Sequence, residues 1–228
     1  MKTYGQFCPV AKAAEIFAER WTPLIIRELL MGSRKFSELE IGMCHIPRSL
    51  LAQRLRSLEA AGVLKRKTDG NGKRPEYHLT EAGADLFDVV RGLGEWGQKW
   101  VNHDIGAADV DPALLVWDMH RRVNLELLPE KRVVVQIDFH GAAKGTYWLL
   151  LERPEPSVCM QNPGFDIDLF VSADTVAIHR VWMGMISLAE CVDEGLIEFD
   201  GLTAHIKAFP KWFKLSIFSD VKAVVKSG

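Results

Sequence analysis

The chain has 228 residues, 48% of them hydrophobic, and a formal net charge of −2. That length leaves room for two compact domains, and no run of about 18 apolar residues offers a membrane span. The first five residues lack the apolar core of a secretion signal. Four cysteines (Cys8, Cys44, Cys159 and Cys191) are scattered without a Cys-x-x-Cys pair. This speaks against a structural zinc site or a disulfide framework and for a reducing, cytoplasmic setting. The small net charge conceals an asymmetry. Residues 1–78 hold 14 Lys/Arg against 8 Asp/Glu, an excess of +6, and residues 79–228 hold 14 against 22, an excess of −8. A cationic segment joined to an acidic one is the footprint of a nucleic-acid reader with an attached module of another kind.

In chain order, Cys8-Pro9 opens a helix to about Glu19 with Val10, Ala14, Phe17 and Ala18 as its inner face. Thr22-Pro23 reads as a cap and first turn, followed by a helix whose apolar side is Leu24, Ile25, Leu29 and Leu30 and whose stop is Gly32. Arg34-Lys35-Phe36 leads to a short helix capped by Ser37; these two cations either touch phosphate or solvate a loop. Pro47 suits a first helical position, and Leu51, Leu55 and Leu58 form one buried stripe. Arg48, Ser49, Ala52, Gln53 and Arg56 lie opposite. Arg and Gln pair bidentately with guanine and adenine edges, and small Ser and Ala permit close approach. On the helix alone Arg48, Arg54 and Arg56 read first as an ordinary solvated face. The next segment shifts the balance. Val63–Lys67 reads as a strand, Asp69-Gly70-Asn71-Gly72 as a tight turn, and Lys73-Arg74 leads into the strand Glu76–Leu79. Helix, strand, cationic turn and strand make a winged helix-turn-helix. Thr80 then caps a long helix from Glu81 to about His103, bearing Leu86, Val89, Val90, Leu93, Trp96 and Trp100. This is more apolar surface than one partner helix needs, available for a dimer seam or for the chain's own second half.

The strings C-P-V, R-W-T-P-L-I-I-R-E-L-L, G-S-R-K-F-S-E-L, I-P-R-S-L-L-A-Q-R-L-R-S-L-E-A-A-G-V-L and R-P-E-Y-H-L-T-E-A-G occur in that order from Cys8 to about Trp100. In them the chain resembles the HxlR-type bacterial transcription regulators, relatives of the MarR group. The resemblance implies a homodimer built on the first and last helices of this domain and bound to a pseudo-palindromic operator in double-stranded DNA. It places Arg48, Ser49, Gln53 and Arg56 in the groove-reading helix and Lys73 and Arg74 in the wing; Arg34 and Lys35 sit where a helix-turn-helix usually touches phosphate. It also raises a redox role for Cys8, since some such regulators sense oxidants at this position; a small buried residue accounts for Cys8 as well.

Residues 102–110 read as a linker, so the expected domains are 1–104 and 111–228. Asp111-Pro112 starts a helix to about Arg122. The period then becomes two, with strands at Val133–Phe139, Gly145–Leu151, Ser157–Gln161 and Phe165–Val171 separated by hairpin-like turns. Helices follow at Ala173–Trp182 and Ser187–Glu194, then a strand Ile197–Phe199 and two helical segments split by Pro210. Strands first and helices later make an α+β layer. The run from Asp166 to Gly201, D-I-D-L-F-V-S-A-D-T-V-A-I-H-R-V-W-M-G-M-I-S-L-A-E-C-V-D-E-G-L-I-E-F-D-G, resembles the sterol-carrier-protein fold, with V-S-A-D in a helix. That resemblance implies an apolar tunnel for a hydrophobic small molecule. Trp148, Phe170, Trp182, Met183, Met185, Trp212 and Phe213 are the candidate lining, or else an ordinary core. The fold class expected is therefore α+β: an N-terminal winged helix-turn-helix domain followed by a sterol-carrier-protein-like α+β domain.

Seven dispersed histidines make no metal set, Gly70-Asn71-Gly72-Lys73 lacks the spacing of a phosphate loop, and no nucleophile and base lie at a readable spacing. No enzyme activity, metal or cofactor is expected. The reading that follows is a dimeric DNA-binding regulator, modulated by an apolar ligand. Its alternatives are a lipid or acyl carrier that uses the winged helix as a dimer scaffold, and a redox regulator acting through Cys8.

Overall fold

A computed structural model describes residues 3–68, 75–101 and 104–224. The wing tip at 69–74, including Lys73 and Arg74, and the linker residues Asn102 and His103 lie outside the described residues. The chain divides into two units, Met1–Gly94 and Glu95–Gly228.

In the first unit, α1 (Pro9–Phe17) has no fully buried residue. It rests on the core through Ile16 and Phe17, while Val10 and Ala18, expected on its inner face, are exposed. The chain turns through Trp21 in the left-handed region (φ 77°), so Thr22 enters α2 (Thr22–Leu30) as a buried first-turn residue and makes no cap. Ile25, Ile26 and Leu29 are buried on α2, but Leu24 is exposed. Next, α3 (Phe36–Gly42) begins from Lys35, not Ser37. Glu38 takes over the capping task by accepting the backbone N–H groups of Arg34 (2.7 Å) and Lys35 (3.0 Å), which would otherwise be unpaired at a helix start. Pro47 stands just before α4 (Arg48–Ala60) as its cap residue, one position earlier than its sequence signal suggests. Leu51, Leu55 and Leu58 are buried as their spacing requires.

Strands β1 (Leu64–Lys67) and β2 (Glu76–Leu79) pair antiparallel, Leu64 facing Leu79. The Tyr77 N–H donates to the Arg34 carbonyl (2.8 Å) and Lys35 bridges Glu76, stitching the wing to the start of α3. The Thr80 hydroxyl donates to the Gly62 carbonyl (2.6 Å) and accepts the Gly83 N–H (3.2 Å). One side chain thus closes the wing and caps the next helix. The single long helix expected from Glu81 is two, α5 (Glu81–Ala84) and α6 (Phe87–Trp100). Leu86 N–H bonds three residues back, to Gly83 (3.3 Å), and this tightened turn interrupts the α ladder.

In the second unit, α7 (Pro112–Arg121) is capped by Asp111, whose carboxylate accepts from Ala113 and Leu114. Five strands follow: β3 (Val133–His140), β4 (Gly145–Leu151), β5 (Ser157–Cys159), β6 (Leu169–Asp174) and β7 (Ile197–Gly201). They form one sheet in the order β5-β4-β3-β6-β7. The turns at Gly141 and Pro154-Glu155-Pro156 join antiparallel neighbours, whereas β6 crosses over to run parallel to β3. The V-S-A-D segment differs from expectation, because it ends β6. Val171 and Ala173 alternate into the core, and Asp174 caps α8 (Thr175–Trp182) by accepting the Ala177 N–H (2.9 Å). Helix α9 (Leu188–Asp193) is closed by a Ser187–Glu190 capping box. After β7 come α10 (Thr203–Ala208) and a 3-10 turn, Phe209–Lys211, that contains Pro210. The inner sheet face, with Val135, Ile137, Leu149 and Val171, packs with Val116, Ile178 and Trp212 in the main core.

Candidate nucleic-acid interface

Helices α2 and α3 are fastened by a charge that the core encloses completely. Glu28 on α2 is 0% exposed. Its carboxylate accepts from Arg27 Nη2 (2.9 Å) and from the Ser33 hydroxyl (3.2 Å). The same Arg27 nitrogen donates to the Gly42 carbonyl at the end of α3 (3.0 Å). A Cβ built on Gly42 would fall 1.9 Å from the Glu28 carboxylate, so any other residue here would have to displace that buried side chain. A buried carboxylate is tolerable only when paired and hydrogen-bonded, as this one is.

The outward side of α4 carries Arg48, Ser49, Gln53 and Arg56, all exposed, opposite the buried leucines. Arg54 lies apart from them. Its side chain is largely covered and pairs with Glu19 (2.8 Å), beside a niche of about 10 Å³ lined by Ile16, Thr22 and Ser57. That space holds one water molecule at most. Arg48 pairs with Glu40 (3.2 Å) and lies over the Phe36 ring, 5.4 Å from its centroid.

The two loop cations divide. Arg34 Nη1 donates to the carbonyls of Leu29 (2.6 Å) and Ser33 (2.8 Å), closing the C-terminal end of α2. Its guanidinium therefore does structural duty. Lys35 is exposed and near Glu38 (3.5 Å). Burial pushes the Glu38 carboxyl up, but the N–H groups of Arg34 and Lys35 and the Lys35 ammonium together outweigh it and hold the group below the usual carboxylate range. In the wing, Lys65, Arg66 and Lys67 are exposed along β1 and extend the cationic edge toward the tip. Their signal in the sequence is the uninterrupted K-R-K run itself.

The expected ligand lining does not come together as one surface. Register places Trp148 and Phe170 on either side of Gln136, on the sheet face away from the main core. Trp148 packs there with Val134 and Leu150 and donates its indole N–H to Gln136 (3.0 Å), and Phe170 is 40% exposed. Trp182, Met183, Trp212 and Phe213 belong to the main core on the opposite face, and Met185 is half-buried in the turn after α8. Period-two alternation explains the split, since neighbouring strands share a face only at paired positions. Cys8 is half-buried at the start of α1 and makes no capping bond.

Apolar side chains stand open on two helices of known position in the chain. Phe7 is 98% exposed beside α1, where Val10 is open too. On α6, Val89, Leu93, Trp96 and Trp100 are all exposed. Their spacing of 4, 3 and 4 residues puts them on one stripe. Among the described residues, no helix is long and apolar enough to cross a membrane.

A tri-helical core with an exposed cationic helix and a two-stranded wing defines a winged helix-turn-helix protein. The HxlR-like helix-turn-helix family profile matches residues 16–105. An HTH-type transcriptional regulator of Bacillus subtilis, YvaP, is 35% identical over 100 residues, which is 43% of this chain and 93% of that one. The chain therefore belongs to the HxlR-like helix-turn-helix family. An HTH-type transcriptional regulator of Mycobacterium bovis, Mb3122, is 42% identical over 93 residues, 40% of this chain and 58% of that one; this chain thus spans a little over half of the mycobacterial relative's length. The reduced form of the transcriptional regulator YodB from B. subtilis aligns at 29% identity and a TM-score of 0.37, covering 41% of this chain and 93% of that one. The B. subtilis YvaP and mycobacterial relatives are named as regulators of transcription.

Proposed function

We infer that this protein is a DNA-binding transcription regulator of the HxlR type that acts as a homodimer on a pseudo-palindromic operator. The observation that carries the reading is the polarity of α4: three leucines face inward, while Arg48, Ser49, Gln53 and Arg56 face outward. Arginine and glutamine at those positions read base edges in a major groove. Lys35 and the wing cations, including Lys73 and Arg74, hold the phosphates on either side and set the register. Arg34 contributes to this edge through the loop that it braces. Two copies associate through the open apolar surface of α1 and the stripe on α6, which spaces their reading helices by roughly 34 Å, one turn of duplex.

In this reading the functional division falls in the linker, with residues 1–104 as the DNA-binding and dimerising domain and 111–228 as a sterol-carrier-like domain. The α+β layer with its aromatic inner core around Trp182, Trp212 and Phe213 supports the second assignment. A hydrophobic small molecule in that core tunes operator affinity, provided that it binds one arrangement of the dimer better than another.

The test is a salt series on duplex DNA. A reader making about six phosphate contacts loses affinity with a log–log slope of roughly −5. A slope near zero would reject DNA binding and favour a carrier that uses the winged helix as a scaffold. Repeating the series with fatty acids and sterols tests the modulation: unchanged operator affinity across the panel removes the ligand and leaves the reader.

A further inference from the structure

We propose that Glu40 is a specificity-determining residue that acts through Arg48, discouraging contact with phosphate while leaving contact with a base edge open. The proposal rests on the DNA-reading role of α4 argued above. Arg48 is the first residue of α4, and its side chain is 77% exposed, so it is placed to meet nucleic acid early. Two groups of α3 already hold its guanidinium. The Glu40 carboxylate lies 3.2 Å from Nη1, and the Phe36 ring lies beneath the charge at 5.4 Å. Glu40 itself is largely covered, with 24% of its side chain exposed, so it has little freedom to withdraw.

The consequence follows from charge. A phosphate that approaches Arg48 meets a cation already neutralised at one nitrogen, and it meets the carboxylate's negative charge as well. It gains less attraction than at a free arginine. The O6/N7 edge of guanine carries no net charge, so Glu40 repels it weakly, and its two acceptors match the planar fork that the ring and carboxylate hold in place. Glu40 therefore disfavours binding to arbitrary duplex more than binding to a sequence with guanine at that position. Discrimination of this kind arises by weakening the wrong complex.

The experiment uses the full chain and two duplexes: one selected from a random pool for tight binding, and one of scrambled sequence. Affinity is measured over a range of salt for the parent, E40Q, R48A and the double variant. E40Q is expected to bind scrambled duplex roughly two- to fivefold more tightly, the range of an exposed ion pair, with a salt slope steeper by about one. Its affinity for the selected duplex changes less, so the ratio between the two duplexes falls. In the R48A background, E40Q has no effect. An equal gain on both duplexes, or the same gain with Arg48 absent, would show simple repulsion by Glu40 and overturn the proposal. Failure of the parent to bind either duplex in a salt-dependent way would instead sink the DNA reading itself.

Discussion

The N-terminal unit buries a full charge at its helix-turn-helix, whereas the fully enclosed polar side chain between helix and sheet in the C-terminal unit is a neutral hydroxyl. Glu28, fully enclosed, ties Arg27 and Ser33 together, and Arg27 reaches on to the Gly42 carbonyl. In the other unit Thr175, equally buried, places its hydroxyl between the carbonyls of His140 (2.6 Å) and Ala143. His179 bonds through Nδ1 to the Thr175 carbonyl (2.6 Å) and through Nε2 to the backbone of Asp111 (3.3 Å). Burial of this ring disfavours its charged form. A buried ion cannot be left half-paired, so it enforces one geometry. Neutral bonds are individually weaker and fail one at a time. The charged anchor stands where the angle between two helices sets how a third is presented; the neutral ones stand where a layer of helices has only to stay on a sheet.

The largest effect should come from Gly42→Ala. The new methyl would drive the Glu28 carboxylate from its partners, and breaking a buried pair costs about 3–5 kcal/mol. Hydrogen exchange read by mass spectrometry should quicken in peptides of α2 to α4, with the C-terminal peptides unchanged. Unaltered protection in α2 would mean that the carboxylate can relocate without loss. Thr175→Val keeps the shape and leaves two carbonyls without their shared donor, at a cost of about 1–3 kcal/mol in urea unfolding. A cost as large as that of Gly42→Ala would erase the contrast between the units. Asp174→Ala removes the cap of α8 and should cost about 1 kcal/mol, with faster exchange confined to the first turn of that helix.

Acid should separate the two units by order, not by size. Burial pushes the His179 imidazole below its ordinary value of 6.5, partly offset by its bonds to Thr175 and Asp111 and by the Asp111 charge. The unfolded chain then takes up this proton first. The stability that neutral His179 contributes is complete above pH 6.5 and is lost as pH falls from there through the lowered folded value. Glu38 is also held low, from an ordinary value of 4.5. Its contribution is intact above pH 4.5 and is lost only below that. Exchange measured down a pH series should therefore quicken around α7 and α8 before it does at the start of α3. The reverse order would contradict both assignments.

Much of the reading half was legible because local rules suffice there. Three leucines at helical spacing fixed the inward side of α4 and hence its outward one, and Thr80 announced a helix start that it does cap. Arg34 was illegible for a physical reason. A long guanidinium reaches carbonyls several residues away, and nothing in the neighbouring letters says whether it turns outward to phosphate or back to Leu29. Glu40 was hidden likewise, since its partner comes from another helix, and so was Glu28, one of whose partners lies in the turn beyond. In the second unit, alternation marked β3 and β4 correctly, but sheet order is non-local. Only the pairing of β6 beside β3 shows that Phe170 and Trp148 face away from Trp212.

The contact between Gly42 and Glu28 also limits how such a protein can be retargeted. Exchanging the outward residues of α4 leaves the support beneath them untouched, so new base preferences are open to simple substitution. Transplanting the whole helix-turn-helix into another scaffold is different: the donor's glycine and the acid it shelters must travel together, or the grafted helix will arrive with the right letters at the wrong tilt.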